Sequence, residues 1–553
     1  MSRDVLPILA VFALSLALLN ALYIPASANH KTINVPQDYL TIQQALDAAE
    51  PGERIRVAAG MYEEHITVEK SLTLQGEGPG NTIIDGKGTR NVVTVKASNV
   101  SLSGFTVRNG SYGVYIGYST ACTLRNNHIE DNRWNLAVWG DQWQHYIHDI
   151  DSTNLVEDKP IYYWINQKNR QVPTNAGFVA IINSTNITVR NLNLPPNEQG
   201  ILFVNTDKST IANITTRGSD LGIYLLESHN NLITGNTVES VSFQGMLLRS
   251  SHNNTITRNT LRNGILGIGL QTSNNNAIYQ NNFIDNKVQL GTYGSSNTWD
   301  NGMEGNYWSD YAAVDTNMDG IGEEPYNIGS NNADHYPLSG VFSNFGVSWK
   351  EEPYSVAIVS NSTISAFEFD QANKTIRFDV AGEEAIGFCR VCIPYDFMEP
   401  PYTVTVDGHS PRFINYTLYD NGTHRWLYFT YEHSLHQVEI ILEFPTCASM
   451  LFILAVLSLT AIVYKRRLLK KPIHKAIVFL FYNSQCLRLV FLPRFERTCR
   501  MRLDFGLRVG GAFPSRIHSY LGPPATNSIL STPLPLDFLF RTLTVPISLV
   551  VLT

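Results

Sequence analysis

The sequence predicts an all-β protein built around a parallel β-helix, and three observations carry the expectation. Asn191, Asn213, Asn236, Asn259 and Asn281 recur at steps of 22 or 23 residues. Gly200, Gly222, Gly245 and Gly267 keep the same beat in "QGILF", "LGIYL", "QGMLL" and "LGIGL". Two independent markers sharing one period point to a repeat architecture before a globular one. Between them lie short runs in which apolar residues alternate, as at Ile223 and Leu225, the sign of strands with one face in and one face out. A row of this length holds three short strands and three corners, and stacked rows sit roughly 4.8 Å apart. Asn repeated at one corner can build an amide ladder, and the coil needs a cap at each end.

Taken in order, residues 1–28 read as a secretory signal. Arg3 precedes an apolar run from Val5 to Ile24, and Ala26-Ser27-Ala28 is a small-residue cleavage site. Residues 29–90 read as the entry cap of the coil. Thr41 to Ala49 has helical spacing, with Ile42, Ala45, Leu46 and Ala49 on one face, and Pro51-Gly52 ends it. The coil is expected over 91–340. Gly104 and Asn126 already stand 22 residues apart. The beat dissolves over 133–177, which holds four of the eight tryptophans and reads as an inserted lobe or a set of distorted rows.

Residues 346–445 form strands at roughly ten-residue spacing, the pattern of an immunoglobulin-like β-sandwich acting as a spacer. Residues 447–464 read as a single transmembrane helix, followed by Lys465-Arg466-Arg467 and Lys470-Lys471 on its cytoplasmic side. The tail, 465–553, is basic, apolar and broken by prolines, and is expected to be poorly ordered. Residues 447–553 hold 14 Lys/Arg against 3 Asp/Glu, leaving 27 against 45 in the rest. An acidic front argues against nucleic acid as a partner, because phosphate binding needs the opposite sign. The expected topology is an extracellular ectodomain on one membrane anchor. Ten N-x-S/T sequons, at Asn99, Asn109, Asn183, Asn186, Asn213, Asn253, Asn361, Asn373, Asn415 and Asn421, all precede the membrane run. An Asn/Thr-rich repeat also makes such triplets by accident.

The run "TIQQALDAAEPGERIRVAAGMYEEHITVEKSLTLQGEG" resembles the start of pectin-lyase-like right-handed β-helix proteins. The stretch "GNYWSDYAAVDTNMDGIGEEPYNI" followed by "DHYPL" resembles the tail of NosD-like β-helix proteins, many of them archaeal surface proteins. The resemblance covers roughly 32–340 and implies a right-handed coil.

Three constellations could carry chemistry. Asp315, Asn317 and Asp319, with Gly320, have the D-x-N-x-D-G spacing of a calcium loop, although Tyr326 stands where such a loop closes with Glu. Ca²⁺ here is expected to be structural. Trp134, Trp139, Trp143 and Trp164, with Asp149 and Asp151, offer the aromatic faces and acids of a sugar-binding groove, and His145 and His148 lie beside them. Against these stands the bland reading that tryptophans pack and such acids cap turns. Asn205-Thr206-Asp207 matches the first element of the polygalacturonate hydrolases that the fold resemblance brings in, but no paired Asp or G-H-G follows. The repeated "SHNN" at 228–231 and 251–254 reads as a corner. Hydrolysis needs two carboxylates flanking the bond, and none are evidently paired. The NosD resemblance raises copper, but the methionines are dispersed and the coil has one cysteine, Cys122, which argues against a soft copper site. Cys389 and Cys392 on a strand would face opposite sides and read as core thiols or one disulfide. The expected function is an exported surface protein that binds polysaccharide or glycan without catalysis. The alternatives are a polysaccharide lyase or glycoside hydrolase, and a NosD-type metallocofactor accessory.

Overall fold

In a computed structural model the described residues are 31–312, 314–329, 332–442, 456–461, 475–482, 486–493 and 548–551. They fall into two units, 1–443 and 444–553. The predicted signal and most of the predicted membrane run lie outside the described residues. Residues 456–461 of that run are helical, and no helix among the described residues is long and apolar enough to cross a membrane. In the tail, Lys475–Tyr482, Cys486–Pro493 and Ser548–Val551 form a three-stranded antiparallel sheet, and the rest of it lies outside the described residues.

The first unit is a parallel β-helix with a β-sandwich at its exit. The coil has two parts. The first winds through three sheets: six strands from Thr32–Val35 to Asp149–Ile150, four from Ile66–Val68 to Trp134–Trp139, and the opening strands of a twelve-stranded sheet from Gly60–Tyr62 onward. Helix Ile42–Ala48 closes the entry and buries Ile42, Ala45 and Leu46, the face read from the sequence. Its first backbone N–H groups, at Ile42 and Gln43, donate to the Glu64 carboxylate at 2.9 and 3.0 Å, a charge placed where the helix end favours an anion.

The two parts meet at a turn. Leu155–Val156 pairs antiparallel with the start of Lys159–Ile165, with Glu157 and Asp158 at positive φ between them. Every later strand of the twelve-stranded sheet is parallel to its neighbour. The segment 133–177 holds irregular rows, with a 3-10 turn at Trp143–Tyr146, row steps of 26 and 27 residues and the reversal itself. It ends one coil and starts the next. Strands Gln199–Val204 and Leu221–Leu226 are buried on both faces because one face fills the second coil while the other meets the first. Trp139 packs edge-on against Tyr224 across this junction, with ring centroids 5.5 Å apart.

Inside the second coil, identical positions stack. Ile211, Ile233, Ile256 and Ile278 are in register, as are Ile201, Ile223, Met246, Ile268 and Leu290. The predicted Asn ladder exists with a change of membership. Asn236, Asn259, Asn281 and Asn306 form a buried chain of amides at 2.8 to 2.9 Å. Asn191 and Asn213 belong to an exposed corner at positive φ, and Gly235 continues that corner. The regular step hides this slip by one position. A second ladder, buried at Asn231, Asn254 and Asn276 and partly exposed at Asn297, runs beside it. The Gly series has a steric cause: a Cβ on Gly222 would sit 2.4 Å from the Gly245 carbonyl and 2.3 Å from Val238.

The sandwich starts at Val341, five residues before the predicted boundary, with sheets of five and four antiparallel strands. It is docked on the coil. Asn282 exchanges two hydrogen bonds of 2.8 Å with the Phe342 backbone. Glu304 pairs with Arg390 at 3.0 Å, both almost fully buried, and also accepts from Gln280 and Trp426. Cys389 and Cys392 are both free thiols: Cys389 is buried in the sandwich core, while Cys392 faces the joint with the coil.

Candidate functional site

The six-stranded sheet of the first coil turns its polar alternation outward. Register places Asn34, Arg56, Gln75, Ser103 and Arg125 in one row and Thr32, Arg54, Thr73, Ser101, Thr123 and Asp149 in the next. At the C-terminal ends of these strands lies an open trough of about 670 Å³ lined by Asn34, Gln37, Arg56, Gln75, Glu77 and Asn126. Its floor is backbone at Gly76, Gly78 and Gly104, where a Cβ on Gly76 would stand 2.4 Å from the Gly104 carbonyl. Arg54 and Arg56 are exposed and form no ion pair among the described residues. An acidic chain thus presents two free guanidinium groups on one polar face. Guanidinium binds carboxylate, sulfate or phosphate through paired N–H donors.

The residues flagged from sequence are dispersed. Trp134 is buried against Tyr112, donates from Nε1 to the Gly218 carbonyl at 3.2 Å, and has Arg133 over its ring. Trp139 and Trp143 pack on the first core. Trp164 lies elsewhere, beneath the Arg170 guanidinium. Asp149 and Asp151 both pair with Arg125, and Asp151 also caps the turn at Thr153. The two acids are thus joined to Arg125, while the four indoles make separate contacts. His148 is buried, and both ring nitrogens are engaged, by Cys122 N–H at 3.2 Å and the His145 carbonyl at 2.9 Å. Burial lowers it to about 4, so it is neutral.

The loop with the calcium spacing satisfies itself. Asp315 accepts from Asp319 and Gly320 N–H at 3.0 and 2.8 Å. Asp319 accepts from Ile321 N–H and from the Asn317 amide, and Glu323 accepts from Thr316 and Asn317 N–H. The Asn317 Nδ2 donates to Asp319 at 3.1 Å, so the three side chains of the expected calcium loop are joined to one another and to the loop backbone. Arg390 donates to the Asp319 carbonyl at 2.8 Å, fastening the loop to the sandwich. Among the described residues no group of three or more His, Cys, Asp and Glu side chains is placed to hold a metal. At the "SHNN" corner, Nδ1 of His229 and of His252 each accepts a backbone N–H, which puts the proton of the neutral ring on Nε2 and leaves no free lone pair for a metal. Asp207 accepts His229 N–H at 2.6 Å in the same ladder.

One group was not singled out from sequence. Glu198 lies at the junction of the two coils, 2 % exposed, with its Oε2 unpartnered. Burial raises its carboxyl to about 7, and Asp220, one row on, adds to the rise while the Tyr112 hydroxyl opposes it. Asp220 is also raised by burial, offset by Arg133. A lone acid in "PPNEQG" gives no sequence signal. Only the docking of the first coil on the second desolvates it.

These features define the class: a β-solenoid protein with two coils, a docked β-sandwich and a polar trough on the first coil. Residues 156–313 match the model of the family described as periplasmic copper-binding protein (NosD). The match starts where the strands reverse, so the second coil is a NosD-like parallel β-helix. The chain is 36 % identical over 127 residues, 22 % of its length, to a cell surface glycoprotein of Methanothermus fervidus, and that match spans about a fifth of the relative, 20 %. Among solved structures, similar chains include the A-module of the Azotobacter vinelandii mannuronan C-5 epimerase AlgE6 (19 % identity, 46 % of this chain and 74 % of that one, TM-score 0.24). An alginate lyase from Paenibacillus sp. is also similar (11 % identity, 48 % and 98 %, TM-score 0.23).

Proposed function

We propose that the chain is a cell-surface protein that binds an acidic polysaccharide or glycan in the trough of its first coil, without catalysis. The observation that carries the reading is the pair Arg54 and Arg56, unpaired among the described residues, on a polar face that runs along the coil axis. A polymer laid along that axis meets one polar side chain per row, at Asn34, Arg56, Gln75 and Ser103. The similarity to a cell surface glycoprotein supports the location. The run 447–464 would supply the single anchor and place the coil outside.

The test is titration of the protein with uronate-containing, sulfated and neutral oligosaccharides. Binding of acidic chains weakened about tenfold or more by Arg56→Ala, with no product released, supports the reading. Binding lost in Trp143→Ala but intact in Arg56→Ala would move the site to the aromatic segment. New reducing or unsaturated ends released from any of these chains would instead support a polysaccharide lyase or hydrolase.

A further inference from the structure

The ten sequons differ in one chemical respect. In six of them the side-chain amide nitrogen is already donating. Asn109 Nδ2 bonds to Asp85 at 2.8 Å, Asn183 to Asn166 at 2.6 Å, Asn186 to Asn169 at 2.8 Å and Asn213 to Asn191 at 3.3 Å. Asn361 bonds to Glu384 at 2.8 Å and to the Ile386 carbonyl, and Asn373 to Asp370 at 2.8 Å. Asn415 is half-buried inside strand Phe413–Asp420, paired with Tyr428. Asn99, Asn253 and Asn421 remain, each exposed and with an Nδ2 that donates to none of the described residues. At Asn421 the amide oxygen also accepts from the Thr423 hydroxyl at 2.8 Å and from Thr423 and His424 N–H at 3.0 and 2.8 Å. These bonds hold the amide oxygen in the turn and leave Nδ2 as the exposed, undonated side of the amide.

We propose that the chain carries N-linked glycans at Asn421, Asn99 and Asn253, and that the other seven sequons stay bare. This rests on the surface location proposed above. The co-reactant is an oligosaccharide linked through phosphate to a lipid. Nδ2 attacks the anomeric carbon, a C–N bond forms, the C–O bond to phosphate breaks, and the amide proton leaves with the lipid phosphate or a base of the transferase. No oxidation occurs. The selection is kinetic and geometric: transfer to a ladder amide must first break its hydrogen bond and lift the residue from the stack. Asn99 precedes strand Ser101–Ser103, whereas the trough lies at the strand's other end, at Ser103 and Gly104, so a glycan there leaves the trough open.

The experiment is glycopeptide mass spectrometry on the full chain recovered from cells that export it, with a membrane-impermeant label applied to the intact cells first. Carbohydrate on the Asn421, Asn99 and Asn253 peptides and on none of the other seven is the expected result. Asn421→Gln should lower the mass of the chain by one glycan. Carbohydrate on the Asn183, Asn186 or Asn213 peptides would overturn the proposal, since it would show transfer before the coil folds. A chain labelled from outside but bare at all three sites would overturn it while leaving the surface reading intact. A chain neither labelled nor glycosylated would remove both.

Discussion

Glu198→Gln should stabilise the protein at high pH and leave it unchanged at low pH. In the unfolded chain this carboxyl ionises near its ordinary 4.5, and in the folded chain burial holds it to about 7. Below about pH 4.5 both states are protonated and the group contributes nothing. Between 4.5 and 7 the unfolded state releases the proton first, so folding loses stability as pH rises. Above 7 the full cost is present. At ~1.4 kcal/mol per pH unit, the gap amounts to about 3 kcal/mol. Glutamine has the shape of the neutral acid and never ionises, and the Tyr112 hydroxyl can accept from it. The assay is urea unfolding at pH 4 and pH 8. The variant should gain about 3 kcal/mol over the parent at pH 8 and nothing at pH 4. An equal difference at both pH values, or none, would refute the claim that the junction desolvates this carboxyl.

Three further predictions follow from the packing. Glu304→Ala leaves the Arg390 guanidinium buried and uncompensated, and should cost about 3–5 kcal/mol. Replacing both residues by methionine should recover most of that, read from the same unfolding curves. Gly222→Ala forces a Cβ into the Gly245 carbonyl and Val238, and should lose about 1–3 kcal/mol, whereas Gly302→Ala, with open space around it, should lose at most the strain of its positive φ. EDTA should leave the melting temperature unchanged, because the carboxylates of the 315–323 loop already accept N–H groups. A rise of several degrees with Ca²⁺ would show that the loop rearranges around the ion.

The repeat was legible because stacking imposes one residue type at one spacing. The Gly positions had a single steric cause and kept their beat. The Asn positions had two causes, an exposed positive-φ corner and a buried amide chain one residue away, and a period alone cannot separate them. The strand reversal at Glu157-Asp158 left only a break in rhythm, because a two-residue turn carries little signal when its residues are not Asn or Gly. Trp134, Trp139, Trp143 and Trp164 were close in sequence but pack in different places: Trp134 and Trp139 at the junction, Trp143 on the first core and Trp164 beneath Arg170 on the second. The trough was invisible for the opposite reason. Asn34, Arg56, Gln75 and Ser103 are one residue per row, separated by uneven loops, and only the register brings them together.

The most direct test of the account is hydrogen exchange of the protein with and without an acidic oligosaccharide. Protection confined to backbone at 34–37, 56–58, 75–78 and 103–104 is the predicted footprint, and Arg56→Ala should erase it. Protection over 134–164 instead, or the same footprint with a neutral oligosaccharide, would contradict the claim that an acidic glycan lies in the trough of the first coil.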